Sequence, residues 1–260
     1  MMKRKFTQLA VVSTLLASIL TGCAGEGGSS SSAGGDTIKI GANLELSGGV
    51  ASFGSSISKG IDLAVEEINK DGGVDGKEIE IIKVDNKSEG SEATSAAIRL
   101  TSKDKVTAII GAATSGNTVA QAQIANDNKT ILLTPSGTSP NVTVNEDGSV
   151  NEFAFRTSFI DPFQGTVAAN FAANELKIKN VAIYADSSSD YAKGLAKSFK
   201  ETFGEAGGEI VAEEAYVAKD TDFRSTLTRI KSAKPDFIFI PGYYEEVGLI
   251  VKQAREMGID

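Results

Sequence analysis

The sequence lacks histidine altogether and contains a single cysteine, Cys23, among its 260 residues. Without histidine, a Ser-His-Asp triad, a Cys-His pair and zinc sites built on imidazole are excluded. One cysteine permits no internal disulfide, so the hydrophobic core alone must hold the fold together. Basic residues are also scarce: 26 Lys and Arg stand against 34 Asp and Glu, and the net charge of -8 argues against a nucleic-acid partner.

The residues that are present have the composition of a globular protein. Hydrophobic residues make up 41% of the chain and charged residues 23%, which argues against overall disorder. The length fits one large domain or two ordinary ones.

The first 22 residues have the pattern of an export signal. Basic residues at 3–5 precede an apolar stretch at 9–20 that is too short to span a bilayer. The stretch closes with LTGC at 20–23, which resembles a bacterial lipoprotein box and implies that a lipid is attached to the thiol of Cys23. The alternative is an ordinary secretory signal with an unrelated cysteine.

Residues 23–36 are mostly Gly and Ser and predict a flexible tether between the lipidated cysteine and a folded domain. A phosphate-binding glycine loop is the alternative, but no strand precedes this segment and no Lys-Ser or Lys-Thr follows it.

From residue 37 onward, short β-branched runs alternate with longer amphipathic segments, which is typical of βα units around a parallel sheet. The predicted strands are 37–44, 78–85, 106–111, 131–134, 180–184, 209–216 and 236–240, with a further extended segment at 153–157. Helices are predicted between them. In the first, Ile57, Ile61, Ala64, Val65 and Ile68 recur at spacings of three and four, which predicts one apolar stripe facing the sheet.

The pattern indicates two similar lobes. The regularity lapses between 135 and 151, and the chain is expected to cross between domains near Arg156. We therefore predict a first ligand-binding lobe at 37–155 and a second at 156–260. The final residues leave a helix where another strand would begin, so the second lobe is expected to be incomplete at the C-terminus. The alternative is a small second domain.

Two loops of the first lobe have the composition of a carboxylate-binding site. Ser115 lies in the hydroxyl-rich turn 112–118 after one strand, and Ser136 and Thr138 lie in the loop 135–140 after the next. Helix N-termini at the carboxyl ends of parallel strands present free N–H groups, so both loops can converge on one anion. The alternative is that the hydroxyl groups only cap helices.

An amino acid ligand also needs an acid for its ammonium group and apolar walls for its side chain. Asp161 is the candidate acid, with a helix N-cap as its alternative role. Phe53, Tyr191 and Tyr243 follow predicted strands and are candidate walls, with core packing as their alternative.

Six segments together form a pattern more specific than any single motif. They are 38–42 with 46–48, 60–85, 135–140, 155–157 with 161 and 164–165, 191–194, and 222–223. This combination resembles the substrate-binding proteins of ABC transporters for branched-chain amino acids, which are type I periplasmic binding proteins. The resemblance implies an α/β fold of two Rossmann-like lobes with parallel sheets flanked by helices, joined by a hinge that closes on the ligand.

The resemblance also implies a role for each candidate residue. Ser115, Ser136 and Thr138 would hold the α-carboxylate, Asp161 would lie near the ammonium, and Tyr191, Tyr243 and Phe53 would enclose the ligand. It further implies an ABC permease as partner. No segment resembles a nucleotide site, so no cofactor is expected, and the receptor is expected to be a monomer anchored through Cys23. The acidic, histidine-free composition with a lipid anchor favours a Gram-positive surface over a Gram-negative periplasm.

Other classes of protein and ligand remain open at this point. A Rossmann-type enzyme is disfavoured because the first βα turn, 43–49, is not GxGxxG and no catalytic base with a nucleophile is apparent. A sensory ectodomain of the same fold is a further alternative. Amides, urea and aromatic acids are alternative ligands.

Overall fold

The computed structural model describes residues 37–259. The predictions for Cys23 and for the segment 1–36 therefore lie outside the described residues. Within 37–259, the strands form two parallel sheets, one of five strands and one of three. The predicted α/β architecture with parallel sheets flanked by helices is confirmed.

The first sheet has the order β2-β1-β3-β4-β5, and every neighbouring pair is parallel. Its strands are β1 (Ile38–Leu44), β2 (Ile79–Asp85), β3 (Ala108–Gly111), β4 (Ile131–Thr134) and β5 (Ala154–Arg156). Its helices are α1 (Ala51–Lys70), α2 (Gly90–Ile98), which continues as a π-helical turn at Arg99–Lys103, and α3 (Ser115–Asp127).

The second sheet has the order β7-β6-β8 and is also parallel. Its strands are β6 (Asn180–Asp186), β7 (Glu209–Tyr216) and β8 (Phe237–Phe239). The helices of this half are α4 (Asp161–Asn170) with a π-helical turn at Phe171–Glu175, α5 (Asp190–Glu205), α6 (Arg224–Ser232) and α7 (Tyr244–Glu256). The chain leaves the first sheet at Arg156, and α4 then packs against α5.

Each sheet is covered on both faces, as parallel sheets generally are. In the second sheet, one apolar cluster contains Tyr184 and Leu227, and a separate cluster contains Ile183 and Phe199. Because neighbouring strand residues point to opposite faces, Tyr184 and Ile183 belong to different layers. The first sheet is likewise divided, with Leu132 in one cluster and the α1 contacts in another.

The helices α4 and α5 approach closely at a glycine. A Cβ at Gly165 would lie 2.6 Å from Cβ of Ser198 and 2.9 Å from the carbonyl oxygen of Leu195. No side chain larger than hydrogen fits there without movement, so Gly165 permits the short distance between the two helices.

The predicted stripe on α1 is only partly buried. Ile61 is buried, but Ala64 and Ile68 are exposed. Length accounts for the exposure of Ile68: the 20 residues of α1 span about 30 Å, whereas the seven residues of β1 span about 23 Å. The last turns of α1 therefore extend beyond the strands that would cover them.

Candidate functional site

A cavity of about 600 Å³ lies where the loops at the carboxyl ends of both sheets meet. We refer to it as the cleft cavity. Six of the seven predicted ligand residues line it: Phe53, Ser115, Ser136, Thr138, Tyr191 and Tyr243. Its other lining residues include Ile57, Gln164, Ile240, Tyr244 and Val247. The structure therefore brings six of the predicted residues to one cavity, together with aliphatic side chains that the sequence analysis did not name.

The two hydroxyl-rich loops are joined by direct hydrogen bonds. Ser115 is the first residue of α3, and its Oγ accepts from the amides of Thr138 and Ser139, both at 3.1 Å. The hydroxyl of Ser136 donates to the carbonyl of Ala113 at 2.7 Å. The predicted convergence of the loops after β3 and β4 is thus present in the structure.

Part of the predicted carboxylate cradle is occupied by the protein itself. The hydroxyl of Thr118 donates to the carbonyl of Thr114 at 2.8 Å. The amides of Ala113 and Thr114 donate to the carboxylate of Glu45, at 2.8 Å and 3.0 Å, and so does the Thr114 hydroxyl at 2.8 Å. Of the hydroxyl groups in the turn 112–118, that of Ser115 therefore remains on the cavity wall.

The loop after β4 is held from behind by Arg156. Its guanidinium donates to the carbonyls of Gly137, Ser139 and Pro140 and to the hydroxyl of Thr143, at 2.7 to 3.3 Å. A Cβ at Gly137 would lie 2.9 Å from Oγ1 of Thr134, so glycine is required for this tight path. Sequence reasoning placed Arg156 at the domain crossover but did not identify this role.

The aromatic residues form a continuous wall across the cavity. The rings of Tyr191 and Tyr243 are stacked, with centroids 5.4 Å apart and an interplanar angle of 16°. Phe53, at the start of α1, meets Tyr243 at 6.1 Å and Tyr244 at 5.0 Å, both edge to face. Gln164 donates to the hydroxyl of Tyr191 at 3.0 Å. Burial raises the pKa of both Tyr191 and Tyr243, so both rings are neutral at physiological pH.

Asp161 lies behind the cavity wall and does not line it. It is fully buried, and its amide donates to the carbonyl of Thr138 at 3.0 Å. Neither carboxylate oxygen accepts a well-formed hydrogen bond from the described residues, although the Thr138 hydroxyl lies nearby. Burial raises the pKa of Asp161 to about 6, while the Thr138 hydroxyl and the charge of Arg156 act in the opposite direction. The helix α4 begins at Asp161 without a side-chain cap, so the alternative N-cap role is not what the structure shows.

Contacts join the two halves beside the cleft cavity and beside a second cavity. The amide of Ser52 donates to the hydroxyl of Tyr244 at 3.2 Å. The ammonium of Lys219 lies 2.5 Å from the carboxylate of Glu89. These contacts join loops of the first sheet to loops of the second. A smaller cavity of about 410 Å³ lies on the other side of Tyr243 and is lined mainly by charged and small residues.

Residues 37–259 contain neither a cluster of metal ligands nor a membrane-spanning helix. No three Asp, Glu, Cys or His side chains there are grouped so as to hold a metal ion. Over the same residues, none of the helices has the length and apolarity needed to cross a bilayer.

Two parallel sheets whose carboxyl-end loops enclose one apolar, hydroxyl-bearing cavity define a two-lobed α/β binding protein. Residues 37–260 match the model of the periplasmic binding protein family. The chain belongs to the periplasmic binding protein family, which is a family of binding proteins and not of enzymes. Membership implies a location outside the cytoplasm, and the resemblance noted in the sequence is confirmed.

Three relatives illustrate the similarity. The branched-chain amino acid transporter substrate binding protein LivJ of Streptococcus pneumoniae, solved with isoleucine, is 47% identical, with a TM-score of 0.79 over 86% of this chain and 62% of that one. The leucine binding protein LivK of Thermotoga maritima is 40% identical, with a TM-score of 0.80 over 85% and 61%. The leucine-, isoleucine-, valine-, threonine- and alanine-binding protein of Pseudomonas aeruginosa is 33% identical over 86% of this chain and 59% of its own length. The chain thus spans about three fifths of the length of these relatives.

Proposed function

We propose that the protein is an extracytoplasmic solute receptor that binds a branched-chain amino acid in the cleft cavity and delivers it to the permease of an ABC transporter. The observation that carries this proposal is the convergence of Ser115 and Thr138 on the wall of one apolar cavity. The volume of about 600 Å³ lies within the usual range for small-molecule sites.

The α-carboxylate of the ligand is placed at the joined loops. Ser115, Ser136 and Thr138 line this part of the wall, and the Ser115 hydroxyl can donate a short charge-assisted hydrogen bond to a carboxylate there. Asp161 is assigned to the ammonium end, because it is an unpaired acid directly behind Thr138. Burial disfavours the charged form of Asp161, as its raised pKa indicates, and a nearby ammonium group would stabilise that charge.

The aliphatic side chain of the ligand is placed against the aromatic wall. Phe53, Tyr191 and Tyr243 provide apolar faces, and Ile57 and Val247 provide aliphatic ones. Burial of a leucine- or isoleucine-sized side chain contributes about 1.5–3 kcal/mol. One methylene changes affinity only about tenfold or somewhat more, so leucine, isoleucine and valine are expected to compete.

Ligand capture proceeds by hinge closure between the lobes 37–155 and 156–260. The Tyr244–Ser52 hydrogen bond and the Phe53 ring contacts require the lobes to be close together, so they belong to the closed form. A ligand shifts the equilibrium only by its difference in affinity for the two forms. A ligand that touches both walls of the cavity meets this condition.

The proposal also covers the membrane anchor, location and partner of the receptor. The lipoprotein-like sequence around Cys23 supports a lipid anchor, and we place the protein as a monomer on a Gram-positive surface. The similarity to LivJ, a transporter substrate binding protein, supports an ABC permease as the partner. A sensory ectodomain and ligands such as amides, urea or aromatic acids are the competing assignments.

Calorimetric titration of the purified protein with L-isoleucine, L-leucine, benzoate, acetamide and urea tests the proposal. Thr138→Val removes one hydroxyl from the cavity wall, and we expect it to weaken L-isoleucine binding about tenfold or more. Thr130→Val is the matched control, because Thr130 and Thr138 are both 7% exposed and Thr130 lies outside the cavity. The proposal would be contradicted if wild type and Thr138→Val bound L-isoleucine with equal affinity. It would also be contradicted if the protein bound benzoate or urea but not the amino acids.

A further inference from the structure

Glu45 is a fully buried carboxylate just beyond β1. It accepts four hydrogen bonds, from the amide of Ala113 at 2.8 Å, the amide and hydroxyl of Thr114 at 3.0 and 2.8 Å, and Nδ2 of Asn117 at 2.9 Å. None of these four donors is cationic. All of them lie in the segment 113–117, which includes the first residues of α3.

Burying a carboxylate without a cation is costly unless strong donors replace its water. Here two backbone amides near the N-terminus of α3 supply them, and such bonds to an ionised acceptor are stronger than neutral ones. The interaction therefore ties the conformation of residues 113–117 firmly to Glu45. Sequence separation of 68 to 72 residues makes this a tertiary constraint and not a local turn.

Ser115 lies inside the segment that Glu45 holds. The donors at Ala113 and Thr114 precede Ser115 and the donor at Asn117 follows it, so the path of the backbone through Ser115 is fixed from both sides. The Ser115 hydroxyl in turn meets the amides of Thr138 and Ser139. Glu45 thus acts on the carboxylate-binding wall through Ser115 and does not itself line the cleft cavity.

The backbone of Glu45 packs closely against α1, the helix that carries Phe53. A Cβ at Gly54 would lie 2.1 Å from the carbonyl oxygen of Glu45, so only glycine allows α1 to start this close. Through this contact the backbone position of Glu45 is coupled to the first turn of α1. Glu45 therefore contacts both the helix turn that carries Phe53 and the segment that carries Ser115.

We propose that Glu45 is a positioning residue of the ligand site, which holds the turn bearing Ser115 in its binding conformation before the ligand arrives. The inference rests on the proposed function for the identity of the ligand. A turn that is already ordered loses less conformational entropy on binding, and this raises affinity without any new contact.

Glu45→Gln tests this inference, because it keeps the shape of the side chain but turns an NH₂ group toward one of the four donors. Asp85→Asn is the matched control: Asp85 also accepts four hydrogen bonds, from the amides of Leu46, Ser47 and Lys87 and the Ser47 hydroxyl, at 2.6 to 3.1 Å. Glu45 directly follows β1 and Asp85 is the last residue of β2, so both substitutions remove one carboxylate at the same edge of the first sheet. Only that of Glu45 touches the segment 113–117.

Two measurements are made on both variants. In the ligand-free protein, we expect hydrogen exchange at the Ala113 and Thr114 amides to accelerate at least about tenfold in Glu45→Gln and to stay unchanged in Asp85→Asn. In titrations with L-isoleucine, we expect about tenfold weaker binding for Glu45→Gln and wild-type affinity for Asp85→Asn. Asn117→Ala, which removes one donor and leaves the other three, gives a smaller change in the same direction and serves if Glu45→Gln does not fold.

Wild-type isoleucine affinity in Glu45→Gln would overturn the inference, whether or not the exchange rates change. Unchanged exchange at Ala113 and Thr114 would overturn it as well. If the wild-type protein does not bind L-isoleucine, the proposed function fails instead, and the exchange comparison alone then decides whether Glu45 holds the turn.

Discussion

Asp161→Asn is expected to make stability less dependent on pH. Asp161 is fully buried behind the cavity wall. Burial raises its pKa to about 6, although Thr138 and Arg156 oppose the shift. The unfolded chain has an ordinary aspartate pKa of about 3.9. The folded protein therefore holds this proton more tightly than the unfolded chain.

The sign and size of the effect follow from this difference. A group whose folded pKa is raised contributes stability that is fully present below about pH 4 and is lost as the pH rises through 6. Asparagine cannot ionise, so this loss is absent in the variant. The free energy of unfolding of Asp161→Asn, relative to wild type, should increase by about 2–3 kcal/mol between pH 4 and pH 7.5.

Urea unfolding of both proteins at several pH values measures this difference. Asp147→Asn is the control, because Asp147 is exposed and hydrogen bonds from Ser149 lower its pKa, so its pH dependence has the opposite sign. Parallel curves for wild type and Asp161→Asn between pH 4 and pH 7.5 would refute the reasoning. The same substitution should weaken L-isoleucine binding, since it removes the acid assigned to the ammonium group.

Two further predictions concern packing and closure. Gly165→Ala should lower the free energy of unfolding by about 1–2 kcal/mol, because its Cβ would lie 2.6 Å from Cβ of Ser198. Gly60→Ala, in α1 with nothing within 4 Å, should raise it by about 0.5–1 kcal/mol, and urea unfolding that gives both variants the same sign would contradict the packing argument. Lys219→Gln should weaken isoleucine binding about twofold at low salt and not at 0.5 M salt, since it breaks the exposed pair with Glu89. Calorimetry that finds the same loss at both salt concentrations would argue against an electrostatic contribution to closure.

The fold could be predicted because local patterns determine it. β7 occupies Glu209–Tyr216, the range predicted from its residues, and the loops after β3 and β4 could be assigned to one edge because parallel strands end on the same side. The exposure of Ile68 could not be predicted, because periodicity does not reveal where the sheet beneath a helix ends.

The candidate site was predictable where its residues closely follow the carboxyl ends of strands. Glu45 carried no signal, since a single glutamate after a strand is usually solvated, and its donors lie about 70 residues away. The contacts of Arg156 with three carbonyl groups, 16 to 19 residues upstream, depend on the path of an irregular loop that no periodicity describes. Asp161 was identified by residue type, but its position behind the wall depends on the packing of α4 against α5.

The stacked tyrosines give the receptor a built-in optical signal. The sequence has five tyrosines and no tryptophan, and Tyr191, Tyr243 and Tyr244 all line the cleft cavity. Ultraviolet emission from this chain therefore has no tryptophan contribution, and three of its five tyrosines lie where the solute is proposed to bind. Occupancy can thus be followed by intrinsic fluorescence without attaching a dye.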